Sequence, residues 1–371
     1  ILNSPTNYLL NYITIVLLNV TFMRNCDWEQ RKLGDVVKNI GTGNSKFQIQ
    51  EKSSDASYAI LGSTSVIGYD NNFDFEGNFV LTARVGANAG TLYQHSGKVK
   101  ISDNTVYIQS DNLSFLYNLL NRFDLKKLSF GTGQPLVKSS ELKKLALNFP
   151  NKEEQEKIGN FFNQLDYTIA LHLCKQRQLG LLKQRLIKEI LPQSDSTLPH
   201  LRFANFRKPW EQHQLKEVLK VNSGRDYKHL NEGNIPVYGT GGYMLSVDGK
   251  LSDVDGIGLG RKGTIDKPQY LKAPFWTVDT LFYLTPSPNY DIYFLYTLIQ
   301  NVNWKSMDES TGVPSLSKSV IERVTLTFPI LEEQQKIGSF FREFDNTISL
   351  HQQKIAHLKA LKSTILNKMF M

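Results

Sequence analysis

A chain that repeats itself must build the same architecture twice, and this one repeats itself at a nearly fixed step. Trp28-Glu29-Gln30, with Leu33 and Val36, returns as Trp210-Glu211-Gln212, with Leu215 and Val218. Phe115-Leu116-Tyr117 returns as Phe294-Leu295-Tyr296, and Thr132-Gly133-x-Pro135 returns as Thr311-Gly312-x-Pro314. The longest match is Phe149-Pro150-x-x-Glu153-Glu154-Gln155-x-Lys157-Ile158-Gly159-x-Phe161-Phe162. It recurs, beginning at Phe328, with every one of these positions displaced by 179 residues (149 to 328). The stretch 55–110 matches 234–287 only sparsely. Like ends around unlike middles predict one task performed twice on two different targets.

The repeat divides the chain. An irregular apolar extension covers 1–27, followed by a globular segment over 28–150 and a long helix over 151–191. A linker with a polar cluster and prolines spans 192–209, then a second globular segment covers 210–329 and a second long helix 330–371. Pro150 and Pro329 mark the helix starts, and Glu153-Glu154 and Glu332-Glu333 place carboxylates at the positive end of each helix. Apolar residues then step by three and four, the signature of a coiled-coil seam. In the first helix they are Ile158, Phe162, Leu165, Ile169 and Leu179, continuing to Leu186 and Ile190. In the second they are Ile337, Phe341, Phe344, Ile348 and Leu358, with Ile355, Ile365 and Met369. Each helix is long enough for a rod of about 60 Å and marginal alone in water, so the two are predicted to pack against each other. An antiparallel pair would hold the globular segments at opposite ends. His172 and His351, and Lys183 and Lys362, interrupt the seam at equivalent steps; setting register explains the histidines more simply than metal binding.

Within the globular segments, β-branched and aromatic runs over 79–85, 105–108 and 281–284 predict strands, and 112–122 and 291–302 have helical spacing. A mixed α/β domain is expected. Loops combine glycine with basic or polar groups: Arg84, Gly86 and Asn88 in the first copy, Tyr238, Gly239, Thr240, Arg261 and Lys262 in the second. Glycine allows a backbone to approach a ligand closely, and Arg or Lys can neutralise phosphate or, for Arg, read guanine. Any one of these is equally an ordinary turn with a solvated charge. Their recurrence strengthens the binding reading, since Arg84 and Arg261, like Gly62 and Gly239, are 177 apart (84 to 261, 62 to 239). Thr132 and Thr311 join the set through the repeated Thr-Gly-x-Pro.

Composition restricts the rest. The chain has 43 Lys+Arg against 35 Asp+Glu, a net charge of +8, which favours polyanionic partners without proving one. Cys26 and Cys174 are the only cysteines, which suits a reducing compartment and argues against a cysteine metal site. The apolar run over 8–23 lacks a preceding basic region and a following small-residue cleavage site, and falls short of the roughly 20 residues of a membrane span. Three motifs fail. Gly258-x-Gly260-x-x-Gly263 is followed by Pro268 where a dinucleotide fold needs a helix; Gly41-Thr42-Gly43 lacks the Gly-Lys-Ser/Thr ending of a phosphate loop; and the Asn/Asp-Pro-Pro-aromatic tetrapeptide of amino-methyltransferases is missing.

Taken together, the duplicated arrangement, the F-P-x-x-E-E-Q-x-K-I helix starts, the Thr-Gly-x-Pro segments, the Trp-Glu-Gln openings and the Leu201-Arg202-Phe203-x-x-Phe206 lead-in resemble the specificity (S) subunit of type I restriction-modification systems. The resemblance runs from Trp28 to Met369. It implies two target-recognition domains separated by an antiparallel two-helix coiled coil, an internal pseudo-two-fold repeat. By the same resemblance each domain reads one half of a bipartite, asymmetric site in double-stranded DNA, and the helices set the spacing and dock two methyltransferase (M) subunits. Restriction (R) subunits join the full complex. S-adenosylmethionine, and ATP with Mg, belong to those partners; the chain itself is expected to have no catalytic residue, cofactor, metal or small-molecule ligand, and to work in the bacterial cytoplasm. One departure stands out: the lead-in before Trp210 is intact, but its counterpart before Trp28 (NVTFMRNCD) is degraded. Two rival readings are a coiled-coil adaptor that does not touch DNA, which predicts no salt-dependent DNA binding, and a self-sufficient nuclease or methyltransferase, which predicts activity from the purified chain.

Overall fold

A computed structural model describes residues 28–44, 46–128, 135–192 and 198–370. The extension 1–27 and Thr132 lie outside the described residues. The chain divides into two compact units, Ile1–Leu171 with Lys354–Met371, and His172–Gln353. The division falls inside both long helices rather than at their starts, because each globular segment buries the helix stretches beside it.

In the first unit, β1 (Glu29–Lys32) pairs antiparallel with β8 (Ala146–Phe149), fastening the beginning of the globular segment to its end. Between them lie α1 (Leu33–Val36), β2 (Asn39–Thr42), β3 (Tyr58–Leu61), β4 (Val66–Asp70), β5 (Phe75–Ala83), β6 (Leu92–Ile101), β7 (Thr105–Gln109), α2 (Leu113–Phe123) and α3 (Ser139–Lys144). The sheet order is β2-β7-β5-β6-β3-β4, with β3 and β6 parallel and all other neighbours antiparallel. Strand β5 reads as a continuous apolar run because it is central: Phe79, Val80, Leu81 and Ala83 are all fully buried. Helix α2 is capped by Asn112, whose side chain accepts from the Phe115 backbone N–H, and it turns Phe115, Leu116, Leu119 and Leu120 into the core.

The second unit repeats this plan with β9 (Glu211–Gln214), α5 (Leu215–Val218), β10 (Leu219–Ser223), β11 (Glu232–Gly239), β12 (Gly242–Val247), β13 (Gly256–Gly260), β14 (Gln269–Leu271), β15 (Trp276–Thr277), β16 (Leu281–Pro286), α6 (Ile292–Asn301), α7 (Lys318–Arg323) and β17 (Thr325–Phe328). Its sheet is cut in two, β10-β16-β13-β14 and β12-β11-β15. At the 177-residue step (92 to 269), β14 and β15 together occupy the place of β6. Pro274 stands between them: the pairing of β14 with β13 stops at Leu271, and pairing returns after the proline, where Phe275 bridges Ser252. Both halves keep the parallel pairing, β3 with β6 and β11 with β15.

The long helices are α4 (Lys152–Ile190) and α8 (Leu331–Met369). In the first unit Ile158, Phe162, Leu165 and Ile169 are buried in one cluster with Ile355, Leu358 and Ile365. Phe162 stacks on Phe370 and Asp166 pairs with Lys362 at 2.6 Å, so numbers rise along one helix as they fall along the other: the pair is antiparallel. In the second unit Ile337 and Phe341 are buried with Ile187 and Ile190, and Lys183 pairs with Asp345 at 2.6 Å. Leu179, Phe344 and Ile348 lie in the seam only half-buried. The seam lysines are therefore not mere interruptions. Each meets an aspartate of the opposite helix, and the two pairs are repeat equivalents (183 to 362, 166 to 345). His172 and His351 meet each other, Nδ1 to Nδ1 at 2.9 Å. Among the described residues no three His, Cys, Asp or Glu side chains form a metal-binding group.

The helix starts do more than face a dipole. Glu333 is fully buried and receives Arg202 Nε and Nη2 at 2.7 and 2.8 Å. This carboxylate holds the Arg202 guanidinium above its ordinary pKa. Leu201 N donates to Glu189 O, Phe203 meets Phe340 edge-on, and the Lys336 ammonium lies over the Phe206 ring. The part of the expected linker from Leu201 to Phe206 is thus folded onto the second unit. Composition alone missed this because the anchoring partners lie more than a hundred residues away.

Candidate nucleic-acid interface

Strand β5 ends at Ala83, and the chain turns through Arg84, Val85 and Gly86. Gly86 has a φ of +89°, open to glycine and strained for other residues. Three backbone bonds hold the turn: Arg84 N to Asn104 O (2.8 Å), Val137 N to Arg84 O (2.8 Å) and Gly86 N to Pro135 O (3.0 Å). Strand β13 ends in the same way. Gly263 has a φ of +88°, Arg261 N donates to Thr280 O (2.8 Å), Leu316 N to Arg261 O (3.0 Å), and Gly263 N to Pro314 O (2.8 Å). The proline of Thr-Gly-x-Pro is therefore the clasp on the arginine turn in both units. Sequence reading found both motifs and had no means of joining them.

The side chains on these turns face solvent. Arg84, Arg261 and Lys262 are exposed and form no ion pair among the described residues. Arg261 is loosely steadied by Phe282, 5.9 Å from its guanidinium, and by Asp279 O at 3.5 Å. Thr311 sits exposed on the clasping loop, which Asp308 organises by accepting from Ser310 N, Ser310 Oγ and Ser315 N at 2.8–3.0 Å. Led by the Ser315 N–H, these donors hold the Asp308 carboxyl below the usual aspartate value. Nothing in the sequence singles out Asp308. Asn88 is exposed beside the first turn, but its 177-step counterpart is the buried Ile265, so it is not a shared feature.

Tyr238, Gly239 and Thr240 close the β11–β12 hairpin beside the second arginine turn. Gln269 Nε2 donates to Gly239 O (2.9 Å) and Thr240 O (3.2 Å), and a Cβ placed on Gly263 would lie 3.9 Å from Thr240 Oγ1. Tyr238 is half-buried, which pushes its phenol up, with Tyr243 adding to the effect. In the second unit the fold therefore gathers Tyr238, Gly239, Thr240, Arg261, Lys262 and Thr311 onto neighbouring loops. In the first it joins Arg84 and Gly86 to Pro135 and Val137. Unpaired cations on glycine-rich turns, set beside hydroxyl and amide groups, suit an anionic, hydrogen-bonding ligand.

These features define a protein of two repeated α/β domains, each with a cationic turn and a long helix. A family model for the type I restriction modification DNA specificity domain matches residues 25–180 and again 207–360, and the chain belongs to that family as a specificity subunit. It is similar to the type I restriction enzyme MjaVIII specificity subunit of Methanocaldococcus jannaschii, 22% identical over 92% of this chain and 91% of that one. A putative type I specificity subunit of Mycoplasma pneumoniae is 22% identical over 74% of this chain and 76% of its own length. In fold it is similar to the crystal structure of the S subunit of a type I restriction-modification system from M. genitalium (TM-score 0.73, 19% identity, 94% and 97% of the two chains). A chain from a structural study of type I complex assembly and conformational transition matches at TM-score 0.52, with 16% identity over 92% and 97%. Among the described residues no helix is long and apolar enough to cross a membrane.

Proposed function

We propose that each unit reads one half of a bipartite, asymmetric site in double-stranded DNA, with the clasped arginine turns and their neighbouring hairpins as reading surfaces. The observation that carries this is the repeated turn: one backbone, fixed by the same bonds at Gly86 and Gly263, presents different side chains in the two units. Two unlike readers on one chain call for two unlike half-sites, where a homodimer would call for a palindrome. In this reading Arg84, Gly86, Asn88 and Thr132 serve one half-site. Tyr238, Gly239, Thr240, Arg261, Lys262 and Thr311 serve the other. The paired helices set the distance between half-sites and dock two methyltransferase subunits, and restriction subunits complete the complex. Catalysis, S-adenosylmethionine and ATP with Mg reside on those partners in the bacterial cytoplasm, and this chain contributes recognition and assembly.

Co-expression with a cognate modification subunit, followed by genome-wide mapping of methylated adenines, tests the proposal. Replacing 55–110 with the equivalent stretch of another family member should change one half of the methylated motif and leave the other intact. A change in both halves would refute the division of labour, and the adaptor reading predicts no salt-dependent DNA binding by the assembled complex.

A further inference from the structure

The two β-hairpins beside the arginine turns share a feature that their sequences conceal. In the first unit Leu61 pairs with Val66 across the β3–β4 turn, and in the second Tyr238 pairs with Tyr243 across the β11–β12 turn, the same register at the 177-residue step (61 to 238, 66 to 243). At each tip two consecutive large apolar side chains face solvent. Val66 and Ile67 are 37% and 43% exposed, and Tyr243 and Met244 are 63% and 49% exposed. Scattered apolar residues on a surface need no explanation. A pair held at the same two positions in two domains whose middles hardly align does.

The glycines show that the arrangement is built. A Cβ on Gly62 would lie 2.4 Å from the Ile67 side chain, and a Cβ on Gly239 would lie 2.8 Å from the Met244 sulfur. Both glycines leave a gap that lets the second apolar side chain lie across the neighbouring strand. This ties the repeat of Gly62 and Gly239 to a side-chain position rather than to a turn. Each tip also adjoins the cationic turn: Ser63 Oγ donates to Asn104 O, the carbonyl that accepts from Arg84 N, and Thr240 lies against Gly263. Each unit therefore presents an exposed apolar pair and an unpaired arginine side by side. Arg84, Arg261 and Lys262 supply the charge complementarity to a polyanion, and the apolar pair supplies what phosphate contact lacks, a surface for base edges such as the thymine methyl.

Building on the two-reader proposal above, we propose that Val66–Ile67 and Tyr243–Met244 are specificity-determining contacts to the bases of the two half-sites, delivered by equivalent hairpin tips. The test uses the full chain assembled with its modification subunits and duplexes bearing the motif that the wild-type complex methylates. Tyr243→Ala/Met244→Ala should lower discrimination by about tenfold at one or two base pairs of the half-site read by the second unit, leaving the other half unchanged. Val66→Ala/Ile67→Ala should do the converse. Tyr243→Phe/Met244→Leu keeps the apolar surface and should keep discrimination, so a loss confined to the alanine pair, at unchanged Tm, supports base contact. Undiminished discrimination at every base pair in both alanine variants overturns the proposal. Arg261→Glu/Lys262→Glu separates the two levels. If it abolishes binding at its half-site while the alanine variants read normally, the units read DNA by other side chains; if it too has no effect, the two-reader proposal fails as well.

Discussion

Arg202→Met is expected to be among the most damaging single substitutions in the second unit. Glu333 is fully buried, and Arg202, with 14% of its side chain exposed, supplies two charge-assisted bonds of 2.7 and 2.8 Å. Removing the guanidinium leaves a buried carboxylate without its counter-charge, which costs about 3–5 kcal/mol. That is about a fifth or more of the stability of a typical domain. The double variant Arg202→Met/Glu333→Leu should recover most of the loss, because replacing both charges by apolar groups removes the desolvation penalty. The first unit supplies an internal control. At the 182-residue step from Trp28 to Trp210, Val20 stands where the second copy has Arg202. Among the described residues Glu154 accepts from Trp28 Nε1 at 3.2 Å, and its Oε2 is buried and meets no hydrogen-bond partner. Glu154→Gln should therefore be neutral or stabilising, whereas Glu333→Gln should cost several kcal/mol, roughly as Arg202→Met does. Urea unfolding followed by tryptophan fluorescence resolves the comparison, since Trp210, Trp276 and Trp304 lie in the second unit and Trp28 in the first. An Arg202→Met loss below about 1 kcal/mol, or equal losses for the Glu154 and Glu333 variants, would refute the reasoning.

Three further outcomes are expected. Lys183→Met and Lys362→Met should each destabilise by about 1–3 kcal/mol, since Asp345 and Asp166 then lose partners at 2.6 Å, and the reversed pair Lys183→Asp/Asp345→Lys should recover part of the loss in urea unfolding. Gly263→Ala, at a φ of +88°, should cost about 1–2 kcal/mol and weaken DNA binding by loosening the Pro314 clasp; a binding assay showing full affinity would argue that the clasp is dispensable. The 308–315 loop should be acid-sensitive. The Asp308 pKa is lowered below 3.8 by hydrogen bonds to its charged form, so its stabilisation is present above that value and lost as pH falls through the lower, folded-state value. Amide exchange at Ser315 should rise over that acid range relative to a pH-matched Asp308→Asn control, and unchanged protection of this bond would count against the assignment.

Much of the fold could be read from residues close together in the chain. The seam positions Ile158, Phe162, Leu165 and Ile337 were legible because helical spacing repeats every three or four residues, and strands β5, β7 and β16 because their apolar runs are continuous. The candidate site was legible only in fragments. Arg84 and Arg261 could be aligned by counting, but the bond from Gly263 to Pro314 spans fifty-one positions (263 to 314), and no local pattern encodes it. Val66, Ile67, Tyr243 and Met244 were missed because apolar residues in a strand look the same whether they face a core or solvent.

The sequence by itself determined that the chain is two copies of one plan, where each copy's helix begins, and which family it belongs to, because repeats, caps and periodicity are properties of order along a chain. Tertiary structure alone decided that Lys183 and Lys362 find aspartates instead of water, that Arg202 reaches the buried Glu333, and that Pro135 and Pro314 clasp the arginine turns. Each of those outcomes is a meeting of groups far apart in sequence. Its energy comes from burial and direction at the point of contact, and neither exists until the chain has folded.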